Sequence, residues 1–221
     1  MPWLTPAACL SFVGPEKLQK LTLEPGVVQP ATTTADPAIF TTPFYGSSVV
    51  RVYDNALEVN ATLLKASGIG GRDQVQLASV PAGTVTVSSA SGFNVDVLEG
   101  ALIRAQGKVR GPVDAAGWVV PADDAVGVNG TLISWAWDIA AWLLITDLRR
   151  SGLLNVYPEI TARYQMVCGE PLKPGELDRV TKGTFSLSGI LSPESDEAVA
   201  SDGGGYYSSA PRIFSDGDGV I

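Results

Sequence analysis

Histidine is absent from this chain, which removes at once the usual general base, the commonest metal ligand and the usual pH switch. Acid–base work would then fall to Asp, Glu, Lys or Tyr. Cys9 and Cys168 stand far apart and make no metal-ligand spacing, so buried free thiols in a reducing cytosol are expected. Gly68-x-Gly70-Gly71 suggests a phosphate loop, but the Lys-Ser/Thr of such a loop is missing and no strand-to-helix transition frames it. A turn between strands is the expectation there. Asp216-x-Asp218-Gly219 has the spacing that opens a calcium loop, without the glutamate that closes one. No Ser or Cys nucleophile stands beside a plausible base, so no catalytic residue, metal or cofactor is expected.

The densest chemistry lies in one apolar run, Thr131–Thr146, which carries Trp135, Trp137, Trp142 and Asp138. Trp135 and Trp137 point about 200° apart on a helix, so both are not expected to face one small core. One of them is expected at a contact with a neighbouring subunit, where Trp is enriched. Asp138 among apolar neighbours needs a donor, and Arg104, Arg110 or Arg163 are candidates for a structural ion pair. Arg104, Lys108 and Arg110 give an earlier helix a basic face, solvated or set against acidic patches of a neighbour. Near the end of the chain Arg212, Ile213 and Phe214 stand alone in a polar segment, the pattern of an anchor that becomes ordered on a partner.

These residues must be positioned by a folded chain. The 221 residues suffice to bury a core without disulfides or metal, and 45% of them are apolar. Twenty-three acidic residues against 15 basic ones, a net charge of −8, argue against a protein that grips nucleic acid through its phosphates. An acidic wall would instead suit a channel through which DNA slides. The opening stretch lacks a basic region and Pro2 and Pro6 interrupt it, so no signal peptide is expected. Thr131–Thr146 is shorter than the ~20 residues a bilayer requires and has a charge at its middle, so a buried helix is expected there.

Four zones separate by composition. In residues 1–22, Thr5 can cap a short helix with Pro6 at its first position, and Pro15 opens a second turn carrying Leu18 and Leu21. Residues 23–93 lose helix signals. Ser48–Tyr53, Leu57–Leu64, Gln74–Ala78 and Thr84–Ser88 read as short strands of a small antiparallel sheet or barrel. The four prolines in 24–46 suggest an extended arm without regular structure. Residues 94–190 turn helical again: a helix capped by Asn94 or Asp96 and stopped at Gly111-Pro112, a second over Thr131–Arg150, a third from Pro158, and a last turn over Gly175–Lys182. Residues 191–221, rich in Ser, Asp and Gly, read as a flexible tail.

Taken in order, the helical pieces resemble the head–tail adaptor (connector) proteins of Mu-like phages and prophages. AACLSFVGPEKLQKLT is similar to that family's first segment and VLEGALIRAQGKVRGPV to its second helix. WDIAAWLLITDLRRSG resembles the third, with Asp138-Ile139-Ala140 in place of its Asp-Ile-Ala. PEITARYQMV with LDRVTKGTFSLSG resembles the fourth, through Arg163-Tyr164 and Lys182-Gly183 with Ser186-Leu187, and SSAPRIFS is close to the terminal Ser-x-Pro-Arg-x-Phe-Ser. Three departures stand out: the β-rich stretch 23–93, the interruption GEPLKPGE, and the acidic end SDGDGVI.

The resemblance implies an α+β chain that is mainly a four-helix bundle, 1–22 plus 94–190, with an inserted small antiparallel β domain, 23–93, and a flexible C-terminal docking tail, 191–221. It implies a non-catalytic virion protein of the neck, assembled in the host cytoplasm. The partners it implies are copies of itself in a twelve-membered ring, the portal protein, and a tail terminator or stopper protein. Genomic DNA would pass through the lumen without sequence-specific binding, and no membrane is involved. Arg212, Ile213 and Phe214 would dock on the portal or a neighbouring ring, and Trp135, Trp142, Arg104 and Arg110 would line the subunit interface. A β-rich decoration or tail-associated module on a helical base is the alternative.

Overall fold

The computed structural model describes residues 3–24, 26–118, 120, 130–147, 151–185 and 187. It contains seven helices and ten strands among those residues, and the strands form three antiparallel sheets. A four-helix bundle with a small insertion is thereby corrected. The chain divides into two compact units, Thr5–Gly100 and Met1–Leu4 with Ala101–Ile221. The first two helices, which the sequence reading grouped with the later ones, belong to the unit that holds every strand.

In that unit α1 (Pro6–Val13) begins as its sequence demands, with the Thr5 hydroxyl accepting from the Ala8 N–H at 3.2 Å and Pro6 in the first turn. Gly14, at φ 82°, turns the chain into α2 (Pro15–Thr22), whose Leu18 and Leu21 are buried.

Two four-stranded sheets follow. One has the order β1 (Gln29–Pro30), β9 (Val85–Ser89), β5 (Val50–Asp54), β6 (Leu57–Val59); the other runs β2 (Thr32–Thr33), β3 (Ile39–Thr41), β8 (Gln74–Leu77), β7 (Ala61–Leu64). The chain passes from the first sheet to the second at Ala31, between β1 and β2, and again at Asn60, between β6 and β7. Each edge of one sheet therefore continues as an edge of the other. Six chain segments close into an antiparallel barrel, an arrangement that leaves no strand edge open to pair with another chain. Val52, Val85 and Val87 from one sheet and Phe40, Val75 and Leu77 from the other fill the interior, with Leu23 and Phe44. Along β8 the alternation is plain: Val75 and Leu77 are buried, whereas Gln76 is exposed.

The extended arm expected over 24–46 is also corrected, since β1 to β4 lie there. These strands are two or three residues long and hold three of the four prolines between or within them, so no alternating run announces them. β1 and β3 pair with strands distant in sequence, through Val87 and Thr86 for β1 and Gln74 to Gln76 for β3, and β2 pairs with β3. A third, two-stranded sheet pairs β4 (Phe44–Tyr45) with β10 (Phe93–Asn94).

Helix α3 (Val95–Ala115) starts where Asn94 Oδ1 accepts from the Val97 N–H at 3.0 Å, so Asn94, of the two candidates, is the cap. Arg72 clamps its first turn, reaching Asp96 at 2.6 Å and Glu99 at 2.7 Å. The expected stop at Gly111-Pro112 does not occur. The helix continues to Ala115 with Pro112 inside it, because the buried stripe of Leu102, Ala105 and Val109 extends to Val113.

The second unit carries α4 (Gly130–Asp147), α5 (Ser151–Val156), α6 (Pro158–Cys168) and α7 (Glu176–Thr181). Twelve of the 18 residues of α4 are buried, which makes it the central helix of this unit. α6 packs on α4, α7 packs on α6, and α5 touches both α4 and α6. Among the described residues no helix is long and apolar enough to cross a membrane.

Candidate functional site

Candidate chemistry concentrates around α4. Asp138 is only 5% exposed, and its carboxylate faces the Arg163 guanidinium of α6 at 3.8 Å. Burial pushes the Asp138 carboxyl from 3.8 up to about 6; Arg163 opposes that rise and the carboxylate of Glu176 adds to it. Of the three donors that sequence left open, Arg163 is therefore the one in place. Arg104 pairs with Asp147 at 2.5 Å, and Arg110 pairs with Asp114 one helical turn on at 3.3 Å.

Trp135 is 2% exposed and Trp137 5% exposed, so both indoles are buried within the chain itself. A helix covered on all sides has interior neighbours in opposite directions, and the argument from a single small core does not apply to it. Trp135 lies in the core of the helical unit. Its indole N–H donates to Glu176 Oε2 at 2.5 Å, and its ring lies 5.7 Å from that of Phe185. The Arg179 guanidinium sits 5.6 Å from the Phe185 centroid, within cation–π range. Trp142 is half-buried and stacks on Tyr164 at 4.0 Å with planes 8° apart. Arg212, Ile213 and Phe214 lie outside the described residues, as do Arg149, Arg150 and Ser186.

The sequence reading missed Glu176 and Phe185. Glu176 opens α7 and Phe185 lies just beyond its end, and only the fold brings them to Trp135. It also missed Asp73 in the barrel unit, 1% exposed. One Asp73 oxygen accepts from the Ser47 N–H at 2.9 Å and the other from the Ala66 N–H at 3.0 Å, while the Lys65 ammonium stands 3.9 Å away. Lys65 in turn donates to the Ser47 carbonyl. This constellation ties two loops of the barrel together and carries the signature of a structural carboxylate.

The thiols are poorly suited to nucleophilic work. Burial pushes Cys9 up to about 12 and raises Cys168 as well, and a thiol that holds its proton is a weak nucleophile. Gly70, at φ 71°, lies in the turn between β7 and β8, where a Cβ would meet the Ala7 backbone nitrogen at 2.6 Å. Gly70 allows α1 to approach that turn. Among the described residues no group of three or more Cys, Asp or Glu side chains is placed to hold a metal ion.

No family model, curated protein or solved structure matches this chain. What surrounds α4 is a set of ion-pair, aromatic and hydrogen-bond ties between helices, an arrangement that holds elements in place.

Proposed function

We propose that this chain is a non-catalytic structural protein of a tailed phage, the head-to-tail adaptor whose copies form a ring beneath the portal. The observation that carries this reading is the order of the segments resembling Mu-like adaptors. In sequence they fall on α1 and α2, then α3, then α4, then α6 and α7. The net charge of −8 fits a lumen past which DNA slides, since like charge keeps the phosphates from adhering. Copies of the chain, the portal and a terminator or stopper protein are the partners of this reading, in the neck of the virion.

Co-sedimentation with the cognate portal under assembly conditions tests it. Binding of several copies per portal is expected; absence of the chain from the necks of purified virions overturns the proposal.

A second reading, a decoration or tail-associated binding module, is favoured by one observation. The barrel is closed and has a core of its own, as a free-standing recognition domain would. Particles lacking the chain separate the two readings: an adaptor leaves heads and tails unjoined, whereas a decoration module leaves them joined.

A further inference from the structure

At one end of the barrel two turns, 54–58 and 79–84, are tied together. The Asp54 carboxylate accepts from the Ala82 and Gly83 N–H groups, both at 3.1 Å, and the Asn55 N–H donates to the Thr84 carbonyl at 3.3 Å. Leu57 and Val80, one on each turn, stand in the open, 73% and 62% exposed. Neither turn contains a Lys or Arg. Glu58, next to Leu57, is exposed, and no ion pair engages it among the described residues. The tip is therefore apolar, preorganised and acidic.

The helical unit offers the converse. On the solvent side of α3, Ile103 is 58% exposed, and one turn on Gly107 is exposed, with nothing within 4 Å of an added Cβ. Arg104 and Lys108 stand exposed beside them. Arg104 is held by Asp147 at 2.5 Å, whereas no ion pair engages Lys108 among the described residues. This face is apolar, shallow and basic. Leu172 is more exposed than either patch, but Glu170 and Lys173 flank it with both signs, so its charge selects no partner.

We propose that the barrel tip of one copy of this chain docks on the α3 face of a second copy, Leu57 against Ile103 and Gly107, with Glu58 toward Lys108. Tip against tip would set acid on acid, and face against face base on base, so charge selects the mixed pairing. Apolar burial supplies the affinity and the charges fix the register, since an exposed ion pair contributes little by itself. The contact is head-to-tail. It leaves a tip free at one end and a face at the other, so copies add until the set closes. The inference deepens the adaptor reading, on which it rests for ring closure, by naming the two surfaces that meet between copies.

Sedimentation velocity of the full chain without portal, at rising concentration and at low and high salt, tests it. The average mass is expected to climb with concentration, and to climb less in high salt, which screens the attraction of Glu58 for Lys108. Glu58→Lys and Lys108→Glu should each weaken association by roughly fivefold or more, because each sets like charges opposite one another. The two together should restore it, since the pair is re-formed with its signs exchanged. Both side chains are exposed, so the variants should melt with the wild type. A chain that stays monomeric at every concentration, association that high salt leaves unchanged or strengthens, single variants that associate like the wild type, or a double variant no better than the single ones would each overturn the contact. Co-sedimentation with the portal judges the adaptor reading separately, because a chain that does not associate through these surfaces can still bind the portal.

Discussion

Asp138 on α4 and Arg163 on α6 face each other at 3.8 Å, the carboxylate 5% exposed and the guanidinium 32% exposed. The pair is lopsided. Arg163 keeps part of its hydration, whereas Asp138 gives up nearly all of its own, and the attraction does not restore what burial removes. The carboxyl therefore binds its proton more tightly in the folded chain than in the unfolded one.

Stability should carry the sign of that imbalance. The folded-state value is raised from 3.8 to about 6, so the Asp138 contribution is fully present below the unfolded value and lost as pH rises through the folded one. In the wild type this group should contribute at most about 3 kcal/mol more at acid pH than at pH ~8. Urea unfolding of wild type and Asp138→Asn at matched pH values isolates it. The variant should gain on the wild type as pH rises, and parallel profiles would show that Asp138 is not the group responsible.

Asp73 offers the opposite case, a buried carboxylate fully used as an acceptor. Asp73→Ala leaves the Ser47 and Ala66 N–H groups without their acceptor, each at about 1–3 kcal/mol. A loss of about 3 kcal/mol or more is expected, read as a lower unfolding midpoint for the barrel unit. Asp73→Asn, which keeps one oxygen, should lose less.

Two glycine substitutions should move stability in opposite directions. A Cβ at Gly107, in the middle of α3, meets nothing within 4 Å, so Gly107→Ala should stabilise the chain by about 0.5–1 kcal/mol through helix propensity. A Cβ at Gly175 would meet backbone atoms at 2.3 and 2.4 Å, so Gly175→Ala should destabilise by about 1–3 kcal/mol. Thermal melts of the two variants beside the wild type decide the matter, and a stabilising Gly175→Ala would contradict the close approach of Gly175 to the Gly169 and Val167 backbone.

The turn joining β5 to β6 places Asn55 at φ 47° and Ala56 at φ 67°. Asn tolerates that region and Ala does not, whereas Gly adopts it freely. Ala56→Gly should stabilise the chain by about 0.5–1 kcal/mol, the relief of strain exceeding the entropy that Gly adds to the unfolded chain. An unchanged or lower melting temperature would show that the turn is not strained.

What could be read from the sequence alone was local. The Thr5 cap with Pro6, a cap at Asn94 or Asp96, the apolar run that becomes α4, the Pro158 start of α6, and the β-branched segments that become β5 to β9 all depend on residues within a few positions of one another. Capping, helix period and strand alternation are short-range effects, written in adjacent letters. Tertiary structure decided the rest. β1, β3 and β4 exist because β9, β8 and β10 supply their hydrogen bonds, and β2 because β3 does; the barrel closes because the chain changes sheet at Ala31 and Asn60. α3 runs through Pro112 because Val113 has a core to enter. Arg163, not Arg104 or Arg110, meets Asp138, and Trp135 meets Glu176 and Phe185, because packing sets those distances. Long-range partners are chosen by the free energy of the whole packed chain, and no window of sequence contains that sum.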